Sequence, residues 1–213
     1  NQYLLFPTKI TKDMIDRKTI AKMIDHTNVS PNATENDIER LCDEAKKYSF
    51  NAVCVSPLYV KKAKELLKHT EIKVISVIGF PFGYSPTEAK IIETQKVIEN
   101  GADEIDMVMN RIWLKNKRYE LVKEDIKKVV ETAKGKPIKV IIETSDLTDE
   151  EKVKACLISK EAGASFIKTS TGFRNGAKAK DIKLIKKTVP DLQIKAAGGI
   201  RDFKKALQMI KAG

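Results

Sequence analysis

Short runs of β-branched and other apolar residues recur along this chain, and between them the apolar positions change to a helical period. The runs cover 52–55, 74–78, 105–109, 138–142, 166–168 and 192–196, with a shorter candidate at 23–25, so seven strands are predicted. Nearly continuous apolar runs separated by helices are what a parallel sheet produces, because helices cover it and both faces are buried.

The intervening segments carry helix signals of their own. Thr34 is placed to cap a helix whose Ile38, Leu41, Cys42 and Ala45 fall at i, i+3, i+4 and i+7. Ser85, Pro86 and Glu88 read as cap, first-turn proline and capping-box acid of another. Tyr119, Val122, Ile126, Val129, Val130 and Ala133 form an apolar stripe, and Thr148 with Glu151 opens one more helix. An extra helix is expected over residues 11–22, before the first strand.

A glycine signal closes helices just ahead of strands, at Asn100-Gly101-Ala102 and Ala162-Gly163-Ala164, and it returns at Lys211-Ala212-Gly213. The first two instances imply that an eighth strand should follow the third. The expected fold is therefore α/β, a TIM (β/α)8 barrel with an extra N-terminal helix and with the last β/α unit missing from these 213 residues. A polypeptide ending there would be expected to have an exposed barrel edge and weak phosphate binding. The competing layout, an open doubly wound sheet, normally carries a glycine-rich nucleotide turn, and neither G-x-G-x-x-G nor G-x-x-x-x-G-K-[ST] occurs. No linker-like stretch divides the chain, so 1–213 is read as one barrel domain, with 1–17 as an extension that holds the start of the extra helix.

Composition narrows the function classes. With 42% apolar and 32% charged residues the chain suits a soluble globule, and it has no apolar run of membrane-crossing length. The start lacks a secretion-signal layout, and Cys42, Cys54 and Cys156 are too scattered for a disulfide framework, so a reducing cytoplasm is expected. The net charge of +11 raises nucleic acid as a partner. Lysines are nevertheless spread over nearly every helix, Arg is scarce and aromatics are 6%, which argues for a solvated basic surface that attracts anionic metabolites. Neither nucleic acid nor membrane is expected as a partner, and self-association is left open. With only His26 and His69 present, a histidine-rich zinc site is hard to build.

The anomaly is charge inside predicted parallel strands: Asp106 in the fourth, Lys168 near the end of the sixth and Lys195 in the seventh. For one lysine alone, an ion pair with Asp106 or a side chain snorkelling out of the strand end is a sufficient explanation, and Lys139 in the fifth strand fits the latter. Two lysines on neighbouring strands beside a carboxylate point toward chemistry. A protonated lysine cannot attack a carbonyl, but two ammonium groups about 4 Å apart repel by roughly 4 kcal/mol at an effective dielectric near 20, which favours loss of one proton.

Taken together, Ile24-Asp25-His26-Thr27, Val77-Ile78-Gly79-Phe80-Pro81, Asp103-Glu104-Ile105-Asp106-Met107-Val108, Phe166-Ile167-Lys168-Thr169-Ser170-Thr171-Gly172-Phe173 and Lys195-Ala196-Ala197-Gly198-Gly199-Ile200-Arg201 resemble the deoxyribose-phosphate aldolase family, from about residue 18 onward. The resemblance implies reversible cleavage of 2-deoxyribose 5-phosphate to glyceraldehyde 3-phosphate and acetaldehyde through a lysine Schiff base, with no metal and no cofactor. Lys168 matches the Schiff-base lysine, Lys195 the second lysine that tunes it and Asp106 the acid/base. Asp25, Thr27 and Cys54 match pocket positions, while Thr171, Gly172, Gly198 and Gly199 would offer backbone donors to the phosphate. The partners implied are a phosphorylated sugar and aldehydes. One departure stands out: Asn110 is followed by Arg111, Ile112 and Trp113, where small residues are usual in the family. Another lysine-dependent barrel aldolase of a phosphosugar, and a basic nucleic-acid-binding protein without turnover, are the competing readings.

Overall fold

The structure is a computed structural model that describes residues 15–213. Seven strands run parallel in one sheet, and their spatial order is their order in sequence. They are β1 (Asp25–Asn28), β2 (Ala52–Val55), β3 (Lys73–Ile78), β4 (Glu104–Val108), β5 (Ile138–Ile141), β6 (Phe166–Lys168) and β7 (Gln193–Lys195). Helix α1 (Arg17–Ala21) precedes β1; α2 (Glu35–Tyr48), α3 (Val60–Leu66), α4 (Thr87–Glu99), α5 (Arg111–Lys115), α6 (Tyr119–Thr132), α7 (Asp149–Glu161) and α8 (Ala179–Thr188) lie in the connections, and α9 (Phe203–Ala212) follows β7. The sheet curls until the Lys195 ammonium on β7 stands 2.7 Å from the Asp25 carboxylate on β1. Among the described residues β1 and β7 are not hydrogen-bonded to each other, so the barrel is open at the place where the repeat puts an eighth strand. No described helix is long and apolar enough to cross a membrane.

Alternation along the strands sorts the side chains into two sets. Val53, Val74, Ile105, Met107, Val140 and Ile167 share the main core with the apolar stripes of the helices. The opposite face of β2 and β3 contributes Ala52, Cys54, Ile75 and Val77 to a separate cluster inside the barrel. Continued onto β4 to β7, that inner face is occupied by Asp106, Lys139, Lys168 and Lys195, which the parallel register brings level in neighbouring pairs: Asp106 with Lys139, and Lys168 with Lys195. The interior is therefore apolar on one side and charged on the other.

Most local signals operate as read. Thr34 and Thr148 each cap a helix within a full capping box, closed by Asp37 and Glu151. Gly101 (φ 101°) and Gly163 (φ 89°) turn the chain out of α4 and α7 in the left-handed region, and the next residues donate back to Val97 and Ser159 carbonyls at 2.9 and 3.0 Å. At one or both ends β3, β4, β5 and β7 shift by one residue from the predicted runs, and three further differences have a visible cause. The first strand starts at Asp25, because the amides of Met23 and Ile24 close the end of α1 on the Ile20 and Ala21 carbonyls. Of the helix expected over 11–22, α1 occupies only Arg17–Ala21; the expected portion at 11–14, like the extension before it, lies outside the described residues. Finally, Pro86 takes the N-cap position of α4 in place of Ser85 and supplies no side-chain cap. The first helical residue, Thr87, instead donates its hydroxyl to Asp125 Oδ1 at 2.8 Å.

Asp125 exposes what periodicity does not reveal. On α6 it is buried against Lys90 of α4, with no side-chain exposure on either partner and 2.6 Å between Lys90 Nζ and Asp125 Oδ2. Lys90 also donates to the Val108 carbonyl at the end of β4, tying the helix pair to the strand that carries Asp106. Burial pushes the Lys90 ammonium below its ordinary range, and the Asp125 carboxylate opposes that shift. Removing one partner of such a pair leaves an uncompensated buried charge. Asp125→Ala should therefore lower unfolding free energy by about 3–5 kcal/mol, and Lys90→Met combined with Asp125→Leu should recover most of it, as read from urea unfolding curves.

Candidate active site

Four charged side chains meet inside the barrel. The Asp106 carboxylate on β4 is fully buried. Its Oδ2 accepts from Lys168 Nζ on β6 at 2.7 Å and from Lys195 Nζ on β7 at 2.9 Å. Lys195 is shared further, with Asp25 Oδ2 on β1 at 2.7 Å, and Asn51 Nδ2 donates to the other Asp25 oxygen at 2.8 Å. Two ammonium groups bonded to one oxygen lie within two hydrogen-bond lengths of each other, so the pairing expected from neighbouring strands is present. The carboxylate expected beside them sits between them and attracts both.

Beneath this layer, Lys139 corrects the picture of a lysine snorkelling outward. Its side chain is 2% exposed and bonds to Glu104 at the start of β4, with Asp106 Oδ1 3.6 Å away. Glu104 is also held by Lys73, half-exposed at the start of β3, at 2.6 Å. Glu104 shares strand parity with Asp106, a signal that could have marked it as inward-facing, while only the register brings Lys139 level with Asp106. Burial works to raise the Asp106 carboxyl, but the charges of Lys168, Lys195 and Lys139 outweigh it and hold the group well below the usual carboxylate range. Asp25 is likewise held low, by Lys195 and then Lys139 against its burial. Burial pulls Lys195 down, yet Asp106 and Asp25 together push it well above the ordinary lysine range. Lys195 is thus fixed as a cation by two carboxylates, whereas Lys168 faces one.

Similarity to known proteins extends over almost the whole chain. The family model described as DeoC/LacD family aldolase matches residues 19–213. The chain belongs to that family. A deoxyribose-phosphate aldolase of Thermococcus gammatolerans is 57% identical over 200 residues, covering 91% of this chain and 89% of that protein. One of Clostridium tetani is 55% identical over 197 residues, covering 91% of each. A solved structure described as the unique tetrameric structure of deoxyribose phosphate aldolase from Aeropyrum pernix superposes with a TM-score of 0.87 at 34% identity, covering 93% of this chain and 85% of that one.

The remaining positions of this aldolase surround the cluster unequally. Cys54 Sγ lies 3.9 Å from Asp106 Oδ2 and is fully buried; burial, then the Asp106 charge, pushes its thiol up, so it is a wall of the site in its neutral form. Thr27 is exposed near the mouth, and its hydroxyl donates to the Asp25 carbonyl at 2.9 Å. Beyond β6, the amide and hydroxyl of Thr171 both donate to Glu143 Oε2, at 3.1 and 2.5 Å, so this amide is already engaged. Gly172 (φ 88°) is open, with nothing within 4 Å of where a Cβ would stand. Gly198 (φ 87°) packs against Gly176, and Ala177 donates to its carbonyl at 3.0 Å; a Cβ on Gly176 would come within 2.5 Å of that oxygen. This close approach joins the loops after β6 and β7 into one edge bearing Gly172, Gly198 and Gly199. Arg111 pairs outside the cluster: Asn110 caps α5 through the Trp113 amide, and Arg111 Nε reaches Asp146 Oδ2 at 3.5 Å. Among the described residues, no group of three or more His, Cys, Asp or Glu side chains is placed to hold a metal ion.

The depressed Asp106 and Asp25 carboxyls have a stability signature. A folded-state value below the unfolded one contributes stability that is complete above the unfolded value, about 3.9, and is lost as pH falls toward the folded value. Urea unfolding of wild type and Asp106→Asn should therefore show a gap that is constant above about pH 5 and narrows below about pH 4. A gap unchanged down to acid unfolding would show that Asp106 is not held low by its lysines.

Proposed function

We propose that this chain catalyses the reversible aldol cleavage of 2-deoxyribose 5-phosphate to glyceraldehyde 3-phosphate and acetaldehyde through a Schiff base on Lys168. The observation that carries the reading is the unequal sharing of Asp106: Lys195 bonds two carboxylates and Lys168 one. The lysine with fewer anionic partners loses less on giving up its proton, and the fixed charge of Lys195 nearby disfavours a second cation. Lys168 is then the nucleophile and Lys195 the permanent cation. The relatives named deoxyribose-phosphate aldolase support the substrate.

Among the described residues Asp106 is the one hydrogen-bond partner of the Lys168 ammonium, so it is placed to receive the proton that Lys168 sheds. As Lys168 becomes neutral, one of the charges depressing Asp106 disappears and the carboxylate becomes a better base. Attack of the amine on the C1 carbonyl gives a carbinolamine, and Asp106 returns a proton as its hydroxyl leaves as water. The protonated imine draws in the electrons of the C2–C3 bond while Asp106, a carboxylate again, takes the C3 hydroxyl proton for return to C2, releasing glyceraldehyde 3-phosphate and leaving an enamine. Protonation at C2 and return of one water free acetaldehyde and restore the amine. Lys139, buried below, holds Asp106 in place without reaching the mouth.

The glycine-lined edge of the β6 and β7 loops supplies close backbone approach for the phosphate, as barrels commonly do near their last strands. Buried, unpaired cysteines accord with a reducing cytoplasm. By likeness to the Aeropyrum pernix structure we extend self-association to this chain.

Borohydride reduction in the presence of acetaldehyde should add one ethyl group to Lys168, located by peptide mass spectrometry, and Lys168→Met should abolish both labelling and cleavage. Asp106→Asn should lower kcat by about 10²–10⁴-fold, the range for loss of a positioned acid/base. Labelling on another lysine of the active wild type would remove the assignment.

A further inference from the structure

Glu143 occupies a conformation that its residue type does not favour. It lies two residues beyond the end of β5, with φ 55° and ψ 69°, and is fully buried. A left-handed backbone is unfavourable at a residue with a Cβ, so something must hold it there. The contacts identify what does. Oε2 accepts from both the amide and the hydroxyl of Thr171, at 3.1 and 2.5 Å, and that hydroxyl in turn accepts from the Phe173 amide at 3.2 Å. Oε1 has no hydrogen-bond partner among the described residues, so all the bonding of this carboxylate goes to one turn. The backbone supports the same link: Ile142 donates to the Lys168 carbonyl at 3.0 Å and Thr144 to the Thr169 carbonyl at 2.8 Å. The reversed conformation at Glu143 thus lets the β5 and β6 ends stay paired while its side chain reaches across to residue 171.

The held turn begins one residue after Lys168 and contains Gly172, whose open surface borders the Gly198 and Gly199 edge. We infer that Glu143 is a positioning residue that fixes the turn 169–173 so that it presents the amide at Gly172 to the substrate phosphate. This rests on the aldolase reading and deepens it. Glu143 touches no reacting atom; it acts through Thr171, and the part of the substrate it serves is the phosphate, not the carbonyl carbon.

The test compares cleavage of 2-deoxyribose 5-phosphate with that of unphosphorylated 2-deoxyribose by wild type, Glu143→Leu and the nearly isosteric Thr171→Val. Loss of a hydrogen bond to a charged group should cost the phosphorylated substrate about tenfold or more in kcat/KM, chiefly through KM. The unphosphorylated sugar and borohydride labelling of Lys168 by acetaldehyde should change little. Thr171→Val should move in the same direction by a smaller factor, and it decides the matter if Glu143→Leu fails to fold. Equal losses on both sugars, or an unchanged preference for the phosphate in the folded variants, would overturn the inference while leaving the aldolase reading intact. A wild type that cleaves neither sugar would overturn both.

Discussion

A single carboxylate, Asp106, organises the interior of this barrel. Leaving it charged and wholly buried would be prohibitive in isolation, and three ammonium groups from three other strands compensate it. The same attraction draws β4, β5, β6 and β7 into a fixed register on their inner faces, and Lys195 carries it on to Asp25 of β1 across the open side of the sheet. Structure and chemistry depend on one set of contacts here. The cations that permit Asp106 to be buried also set its basicity, and the carboxylate that neutralises them stands beside the amine proposed as the nucleophile.

The division of the interior explains how that set stays selective. Ala52, Cys54, Ile75 and Val77 on β2 and β3 offer no hydrogen-bonding competitor of similar strength, so the charged groups of the other strands find each other. Neither lysine is intrinsically special. Lys195 is anchored by two carboxylates and Lys168 by one, and this difference in partners underlies the roles proposed for them. Lys139 and Glu104 fill the floor with a further ion pair, screened from the mouth by the layer above.

Much of this was legible in the sequence. The strand ladder shows because parallel strands are apolar on both faces, and the capping residues Thr34 and Thr148 act locally, within three positions of their partners. Lys168, Lys195 and Asp106 stand out as charges inside such runs. The limits have equally physical causes. Where a lysine in a strand points depends on parity and on its partner, and the partner of Lys139 lies 35 residues away in sequence, so periodicity cannot separate burial from snorkelling. The Lys90–Asp125 pair is hidden in the same way, as two charges on helix faces that read as polar until the helices pack. Glu143 gives no signal at all, because its importance lies in a backbone angle and a contact 28 residues away.

The shared carboxylate can be tested most directly by a crystal structure of the enzyme reduced with borohydride in the presence of acetaldehyde. Continuous density should join Lys168 Nζ to an ethyl group, with Lys195 still bonded to both Asp25 and Asp106. An adduct on Lys195 or Lys139, or a Lys195 side chain turned out of the barrel while Lys168 still reacts, would contradict it.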